Sequence, residues 1–190
     1  MPEDPLAGLL AQARGPVSRE LQAHLSSSPS EAAVLLGLVE RPSGLQVLLT
    51  ERAAHLSEHA GQVSFPGGRF EAADSGPEDT ALREADEEVG LKPSLVSVAG
   101  SMRQFLTGTG YVITPIVGFV ATEFEAQPDH NEVASVFEVP LEFLMIDGNL
   151  RSTRHERFGT PWEIYEFDYA GHRVWGATAA ILRNLIKIIK

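Results

Sequence analysis

The sequence predicts an α+β fold in which a mixed β-sheet lies between helices. Three observations support this prediction. Short apolar runs alternate with turn residues along most of the chain, an amphipathic helical pattern lies near the middle, and a second helical pattern ends the sequence. The chain has 190 residues, a length typical of one domain, and neither an internal repeat nor a linker divides it. We therefore expect residues 1–190 to form a single domain.

Composition and charge exclude several classes of protein. With 26 Asp and Glu against 15 Lys and Arg, the formal net charge is −11 at pH 7, which argues against binding nucleic acid through its phosphates. The absence of cysteine excludes disulfide scaffolds, thiol nucleophiles and Cys-ligated zinc. No secretory signal is recognisable, and every apolar run is far shorter than the roughly 20 residues of a membrane span. We expect a cytoplasmic protein, monomeric or homodimeric, that binds a small molecule and neither nucleic acid nor membrane.

The first part of the chain contains a leader followed by a hairpin pattern. Residues 1–30 predict a polar leader with one or two short helices, ended by a serine-rich stretch. The apolar runs 32–39 and 45–50 lie on either side of the turn sequence at 41–44. Two such runs across a Pro and Gly turn are typical of a β-hairpin.

The central helix is predicted over 77–89. Pro77 suits its first turn, Glu78 and Asp79 complement the positive end of its dipole, and Gly90 ends it. Further strands are predicted at 94–100, 111–121, 133–139, 162–168 and 172–175, a short helix at 140–145, and a core-packing helix at 177–189.

The central helix carries a group of carboxylates beside its apolar face. At 100° per residue, Glu84, Glu87 and Glu88 fall within an arc of about 100°, next to the apolar arc that includes Ala85 and Val89. Like charges four residues apart destabilise a helix by roughly 0.2–0.5 kcal/mol, and loss of hydration would increase that cost. A divalent cation bound by oxygen ligands would offset it. The alternative interpretation is an ordinary glutamate-rich surface helix.

Two neighbouring features favour the metal interpretation. The bend at 65–68 ends in Gly67 and Gly68, and glycine lets the backbone approach a ligand closely and present a carbonyl to it. Arg83 precedes Glu84, and its planar guanidinium can hold a carboxylate in place. Two segments of the chain are therefore predicted to converge on one acidic point.

Residues 83–91 resemble the second half of the Nudix box. The box reads Gly, five residues, Glu, seven residues, then Arg-Glu-apolar-any-Glu-Glu-any-Gly-apolar, and 83–91 match every defined position of its second half. In the first half, Gly68 is followed six residues later by Asp74 instead of Glu, and Arg83 comes one residue late. Asp74 and Glu71 are both candidates for the role of the missing glutamate. The resemblance implies a Nudix-type α/β/α sandwich.

A second motif is similar to the one that precedes the box in coenzyme A pyrophosphatases. It comprises Leu-Leu-Thr-Glu-Arg-Ala at 48–53, Gly61, and Phe-Pro-Gly-Gly at 65–68, while Ser57 stands where that subfamily has a second arginine. The resemblance implies hydrolysis of coenzyme A or its derivatives to 3′,5′-ADP and 4′-phosphopantetheine. Two alternatives stay open. One is a Nudix hydrolase of ADP-ribose, NADH or a dinucleoside polyphosphate, and the other is a non-catalytic nucleotide-binding module.

The resemblance also implies roles for individual residues. The implied catalytic set is Arg83, Glu84, Glu87, Glu88 and Glu132, and the implied ligands of Mg²⁺ or Mn²⁺ are the Gly67 carbonyl, Glu84, Glu87 and Glu88. Glu87 and Glu88 are the main ligands in this scheme, and Glu84 is a further ligand or orients the attacking water. Glu132 is the candidate general base on a later loop, with a strand-flanking acid of no function as the alternative.

Basic and polar residues near the motifs are candidates for substrate binding. The predicted contacts are Arg52, Gln62, Ser64 and Arg69. Residues 151–157 contain the densest basic cluster, Arg151, Arg154, His155 and Arg157, for which a solvated loop is favoured over a phosphate site. The histidines at 55, 59 and 130 lack partners at metal-ligand spacing, so we predict no histidine metal site.

Overall fold

A computed structural model describes residues 29–56, 59–157 and 160–190. The predicted leader falls almost wholly outside the described residues, as does Ser57. The strands are β1 (Ser30–Arg41), β2 (Gly44–Arg52), β3 (Val63–Ser64), β4 (Gly67–Arg69), β5 (Val96–Ser101), β6 (Phe105–Leu106), β7 (Tyr111–Val120), β8 (Val133–Pro140), β9 (Arg151–Arg157), β10 (Thr160–Tyr169) and β11 (His172–Trp175). The helices are α1 (Pro77–Val89), α2 (Leu141–Met145) and α3 (Gly176–Ile189), with a 3₁₀ turn at Pro93–Leu95.

The larger sheet is mixed, and β1 lies at its centre. Its main order is β3-β2-β1-β7-β5, with β4 pairing β1, β6 pairing β7 and β8 pairing β2. Strands β1 and β7 are parallel, while β2 and β4 run antiparallel to β1. The predicted hairpin is confirmed, since Leu38 lies opposite Val47 and the two strands join at the expected turn. A second sheet has the order β11-β10-β9.

Strand β1 is buried on both faces, which explains its unbroken apolar run. Ala33 and Leu35 pack in the core beneath α1, whereas Leu36 and Leu38 pack in the core shared with α3 and the second sheet. Successive side chains of a strand point to opposite faces, so one run supplies both cores. The predicted α+β sandwich around a mixed sheet is confirmed.

Helix α3 closes the second core. Ile181, Leu182, Leu185 and Ile186 are buried there, as expected for a core-packing helix. Within the described ranges, no helix is long and apolar enough to cross a membrane.

The basic cluster at 151–157 forms strand β9, so the predicted solvated loop is wrong. These residues pair antiparallel with β10, and their sequence has no apolar alternation that would indicate a strand. The strand charges are matched across the sheet, with Arg151 2.5 Å from Asp168 and Arg154 3.8 Å from Glu163. Cross-strand pairing of this kind stabilises a strand whose own side chains are exposed.

Candidate functional site

Helix α1 is fixed at both ends by local sequence, and this determines which side chains face the sheet. Pro77 occupies its first turn, and Gly90 ends it in the left-handed conformation with φ 70°. Ala81, Ala85 and Val89 are fully buried against the sheet. The carboxylates of the next arc are therefore held at the border of the core.

Glu84 and Glu88 form a carboxylate pair at this border, in which Glu88 is buried and Glu84 is partly buried, with its side chain 16% exposed. Glu88 is only 4% exposed, and its Oε2 has no hydrogen-bond partner within the described part of the chain. Burial, and after it the nearby Glu84 carboxylate, raises the pKa of Glu88 to about 8. Burial also raises the pKa of Glu84. Two desolvated carboxylates side by side are an electrostatic arrangement that a cation would relieve.

Glu87 differs from this pair. Its side chain is 60% exposed, and Arg83 Nη1 donates to its Oε2 at 2.9 Å. The three box glutamates are thus divided into an inner pair and an outer, ion-paired carboxylate.

Arg83 is hydrogen-bonded to three carboxylates of the box. Besides its bond to Glu87, Nη1 donates to Glu84 Oε1 at 3.1 Å. Nε and Nη2 donate to the two oxygens of Asp74 at 2.9 and 3.0 Å. Such a bidentate pair fixes the plane of the guanidinium. Arg83 therefore sets the positions of Glu84 and Glu87.

Asp74, and not Glu71, is the buried partner of Arg83. Asp74 is 3% exposed at its side chain, whereas Glu71 is 65% exposed with its nearest oxygen 3.9 Å from Arg83. Asp74 also accepts hydrogen bonds from the Thr80 hydroxyl at 2.8 Å and the Glu71 backbone N–H at 2.9 Å. The bond with Arg83 holds the pKa of Asp74 well below its usual range. Compared with the Nudix pattern, the segment between the acid and Arg83 is one residue longer, and the acid is the shorter aspartate. Asp74 nevertheless pairs with the arginine of the box.

Gly67 and Gly68 allow β4 to pass directly against both β1 and the glutamate pair. A Cβ at Gly67 would overlap the Ala33 carbonyl, and a Cβ at Gly68 would overlap the carboxylate of Glu84. The backbone of Gly67 lies close enough to the Glu88 carboxylate to lower its pKa. At Gly67 the overlap is with backbone atoms, so no side chain fits there, whereas a side chain at Gly68 would have to displace the Glu84 carboxylate.

We expect Gly68→Ala to displace the Glu84 carboxylate and to lower any activity of this site by about 100-fold, since a shift of about 1 Å at a reacting group has that effect. Gly76→Ala is the matched control, because a Cβ at Gly76 meets nothing within 4 Å and its φ of 166° is extended. Steady-state rates of the two variants with their melting temperatures test this. Equal rates for Gly68→Ala and wild type would contradict it.

Two more of the predicted site residues, Arg52 at the end of β2 and Glu132 on the loop before β8, act on Glu88. The Arg52 guanidinium lowers the pKa of Glu88 and the Glu132 carboxylate raises it, so both charges act on Glu88. Arg52 Nε is buried, and no described residue accepts a hydrogen bond from it. The loop is tied to the helix because the Asp129 N–H donates to the Glu88 carbonyl at 3.0 Å.

The other predicted substrate contacts are engaged with neighbours. Arg69 Nε donates to the Tyr111 hydroxyl at 3.1 Å, and its guanidinium lies over the Tyr111 ring. Gln62 Oε1 lies 2.9 Å from His59 Nδ1. The remaining predicted contact, Ser64 Oγ, lies 3.5 Å from a threonine hydroxyl on β2. Their roles in substrate binding stay predictions.

Sequence reasoning missed two residues that support the site. Thr80 is fully buried and holds Asp74, and Tyr111 holds Arg69. A threonine on the apolar side of the helix, three residues before Arg83, was the available signal for the first. Tyr111 gave none, because it is distant from the motifs in sequence.

The inner pair fits a hard divalent cation. Among the described residues, no three His, Cys, Asp or Glu side chains are grouped closely enough to hold a metal on their own. Mg²⁺, however, is commonly bound through one or two carboxylates, with substrate phosphates and water completing its shell. The unpartnered Oε2 of Glu88 beside Glu84 supplies that kind of donor.

A family model of the NUDIX domain matches residues 30–157. The chain belongs to this family. The NUDIX match includes the whole box, from Gly68 to Leu91, whereas β10, β11 and α3 follow the matched residues.

Named relatives support the NUDIX assignment. Nudix hydrolase 15, mitochondrial, from Arabidopsis thaliana is 42% identical over 161 residues, covering 81% of this chain and 56% of the plant protein. The chain thus spans little more than half of that relative. Uncharacterized Nudix hydrolase NudL from Yersinia pestis is 40% identical over 162 residues, covering 85% of this chain and 81% of NudL. The crystal structure of a MutT/nudix family protein from Enterococcus faecalis covers 98% of this chain and 69% of its own, with a TM-score of 0.54 and 19% identity, which shows a shared fold.

Proposed function

We propose that this NUDIX-domain protein is a metal-dependent hydrolase that cleaves the pyrophosphate of coenzyme A or its derivatives, yielding 3′,5′-ADP and 4′-phosphopantetheine. The observation that carries the proposal is the buried carboxylate of Glu88 beside Glu84 on the box helix, whose Oε2 has no hydrogen-bond partner among the described residues. Burying a carboxylate beside another one destabilises the fold unless a cation binds to them. The motif over 48–68 supports coenzyme A as the substrate.

Glu84, Glu87, Glu88 and the Gly67 carbonyl would hold Mg²⁺ or Mn²⁺ in this proposal. When bound, such a metal polarises phosphoryl oxygens and lowers the pKa of a coordinated water. Arg83 keeps Glu84 and Glu87 in place through its hydrogen bonds. A pyrophosphate is strongly anionic, so an acidic site needs cations before it can bind one.

The chain's other charged residues act on water and substrate. Glu132 accepts a proton from the attacking water as its oxygen bonds to phosphorus, and the P–O bond of the bridge breaks, leaving its electron pair on the departing phosphate. Arg52 donates to a phosphoryl oxygen from its buried Nε, which has no acceptor among the described residues. Arg69, Gln62 and Ser64 contact the parts of the substrate beyond the phosphates.

The decisive experiment is a hydrolysis assay on coenzyme A, ADP-ribose and NADH, each with Mg²⁺, with Mn²⁺ and with EDTA. We expect release of 3′,5′-ADP from coenzyme A that requires metal and ceases with EDTA. Hydrolysis of ADP-ribose or NADH in place of coenzyme A would retain the chemistry and reject the proposed substrate. No metal-dependent turnover of any of the three would favour the nucleotide-binding module.

A further inference from the structure

A β-bulge lies beside the carboxylate pair, in the pairing of β2 with β8. Glu51 lies opposite Ser135, whereas the next residue, Arg52, lies opposite Val133, so Ala134 is the additional residue. Bulges of this kind bend a strand and re-aim its side chains, and they recur next to active sites. Here the bulge lies between Arg52, which acts on Glu88, and Glu51, whose side chain is on the opposite face of the sheet.

The second sheet holds that glutamate. His172 on β11 donates from Nδ1 to Glu51 Oε2 at 2.9 Å, and the Ser135 hydroxyl donates to the same oxygen at 3.3 Å. The His172 ring is stacked on Phe137, with centroids 3.9 Å apart and 5° between the planes. We call Glu51, His172 and Ser135 the Glu51 clamp. All three lie on the face of the sheet opposite the box helix.

Backbone bonds at the bulge connect the clamp to the groups that face Glu88. The Ala53 N–H donates to the Glu132 carbonyl at 2.8 Å, and the Arg52 N–H donates to the Gln62 carbonyl at 3.0 Å. Three consecutive residues, Glu51 and Arg52 at the end of β2 and Ala53 directly after it, therefore carry the clamp on one side and set Arg52 and Glu132 on the other.

We propose that His172 is a positioning residue for the hydrolysis: by fixing Glu51, it holds the bulge in the conformation that aims Arg52 and Glu132 at the glutamate pair. This inference rests on the proposed function. His172 lies beyond residues 30–157, so the C-terminal part of the chain, outside the family match, contributes to the active site.

Two substitutions separate the hydrogen bond from the ring stack. His172→Phe keeps an aromatic ring against Phe137 and loses the donor to Glu51. His172→Asn keeps an N–H donor near the position of Nδ1 and loses the ring. We expect His172→Phe to lower kcat by about 10-fold, the lower end of what loss of a supporting partner does at a metal site, and His172→Asn to restore most of it. His172→Asn should nevertheless have the lower melting temperature, because the stack is gone.

A purely structural role predicts the reverse order, with activity following melting temperature. Amide hydrogen exchange gives a readout that needs no substrate or metal. The Ala53 amide, bonded to Glu132, is expected to exchange about 10-fold faster in His172→Phe and at the wild-type rate in His172→Asn. His155→Asn is the control, since this exposed histidine on β9 is 3.1 Å from Thr153 and belongs to no part of the clamp.

Glu51→Ala is the second variant, to be used alongside or should His172→Phe not fold. It removes the acceptor, leaves the ring stack, and is expected to reproduce the fall in kcat and the faster Ala53 exchange. Wild-type kcat and wild-type exchange in the folded variants would overturn the inference while leaving the proposed function intact. Absence of turnover in the wild type would instead reject the proposed function, with Ala53 exchange still deciding whether the clamp holds the bulge.

Discussion

Replacing Glu88 with glutamine is expected to lower metal-dependent turnover by more than about 100-fold while the protein stays folded. Loss of a supporting partner at a metal site already reduces affinity or activity by about 10- to 100-fold, and a direct ligand contributes more. Glutamine is uncharged and has nearly the shape of glutamate, so it is tolerated at this buried position. Initial rates at saturating Mg²⁺ test the expectation.

Glu88→Gln should also raise the melting temperature of the metal-free protein at high pH. Burial raises the pKa of Glu88 to about 8, from an ordinary value of 4.5. Between these values the folded protein holds a proton that the unfolded chain has lost, so the contribution of Glu88 to stability declines as pH rises through about 8. Without metal, Glu88→Gln should therefore melt above wild type near pH 9, and the difference should shrink toward pH 5.

The matched control is Glu78→Gln, the same chemical change on the same helix at an exposed first-turn position. We expect it to keep wild-type turnover and the wild-type rise in melting temperature on adding Mg²⁺. Glu88→Gln should lose that rise. A variant at Glu88 that kept near-full activity would show that the metal lies elsewhere.

Elements encoded by local signals could be predicted from the sequence, and the central helix was predicted to the residue. The helix expected over 77–89 is α1 (Pro77–Val89), because proline at its start and glycine after its end act on the backbone directly. The hairpin of β1 and β2 follows from two apolar runs across a turn. In both cases, the information lies within a few residues of the feature it determines.

Features that depend on distant contacts could not be predicted. Strand β9 consists of polar residues whose partners lie on β10, so its own pattern gave no strand signal. Helical spacing predicts that the three glutamates share one arc. It does not predict that Glu88 is buried and Glu84 lies against β4, whereas Glu87 is exposed. Glu51 and His172 are 121 residues apart in sequence, and nothing near either residue indicates the other.

The choice between Asp74 and Glu71 was open for the same reason, and it leads to the second large effect. Asp74→Asn removes the charge opposite Arg83 and places an N–H₂ group where a guanidinium already donates. Arg83 should then lose its fixed plane and with it the alignment of Glu84 and Glu87. We expect the apparent Mg²⁺ affinity to fall by about 10- to 100-fold, measured by the Mg²⁺ dependence of turnover and of melting temperature.

Glu71→Gln is the control for charge in this loop, and we expect it to be neutral because Glu71 is 65% exposed. If Glu71→Gln lost as much Mg²⁺ affinity as Asp74→Asn, the pairing of Asp74 with Arg83 would not be the interaction that positions Glu84 and Glu87.

The length of the loop can be tested by compensation. Asp74→Glu alone adds a methylene at a side chain that is 3% exposed, so it should crowd Arg83 and weaken Mg²⁺ binding. Deleting Ser75 together with Asp74→Glu shortens the loop by one residue and recreates the spacing of the Nudix pattern. We expect this combination to recover most of the Mg²⁺ affinity that Asp74→Glu loses. If the deletion worsened the loss instead, the extra residue would serve another purpose than offsetting the shorter acid.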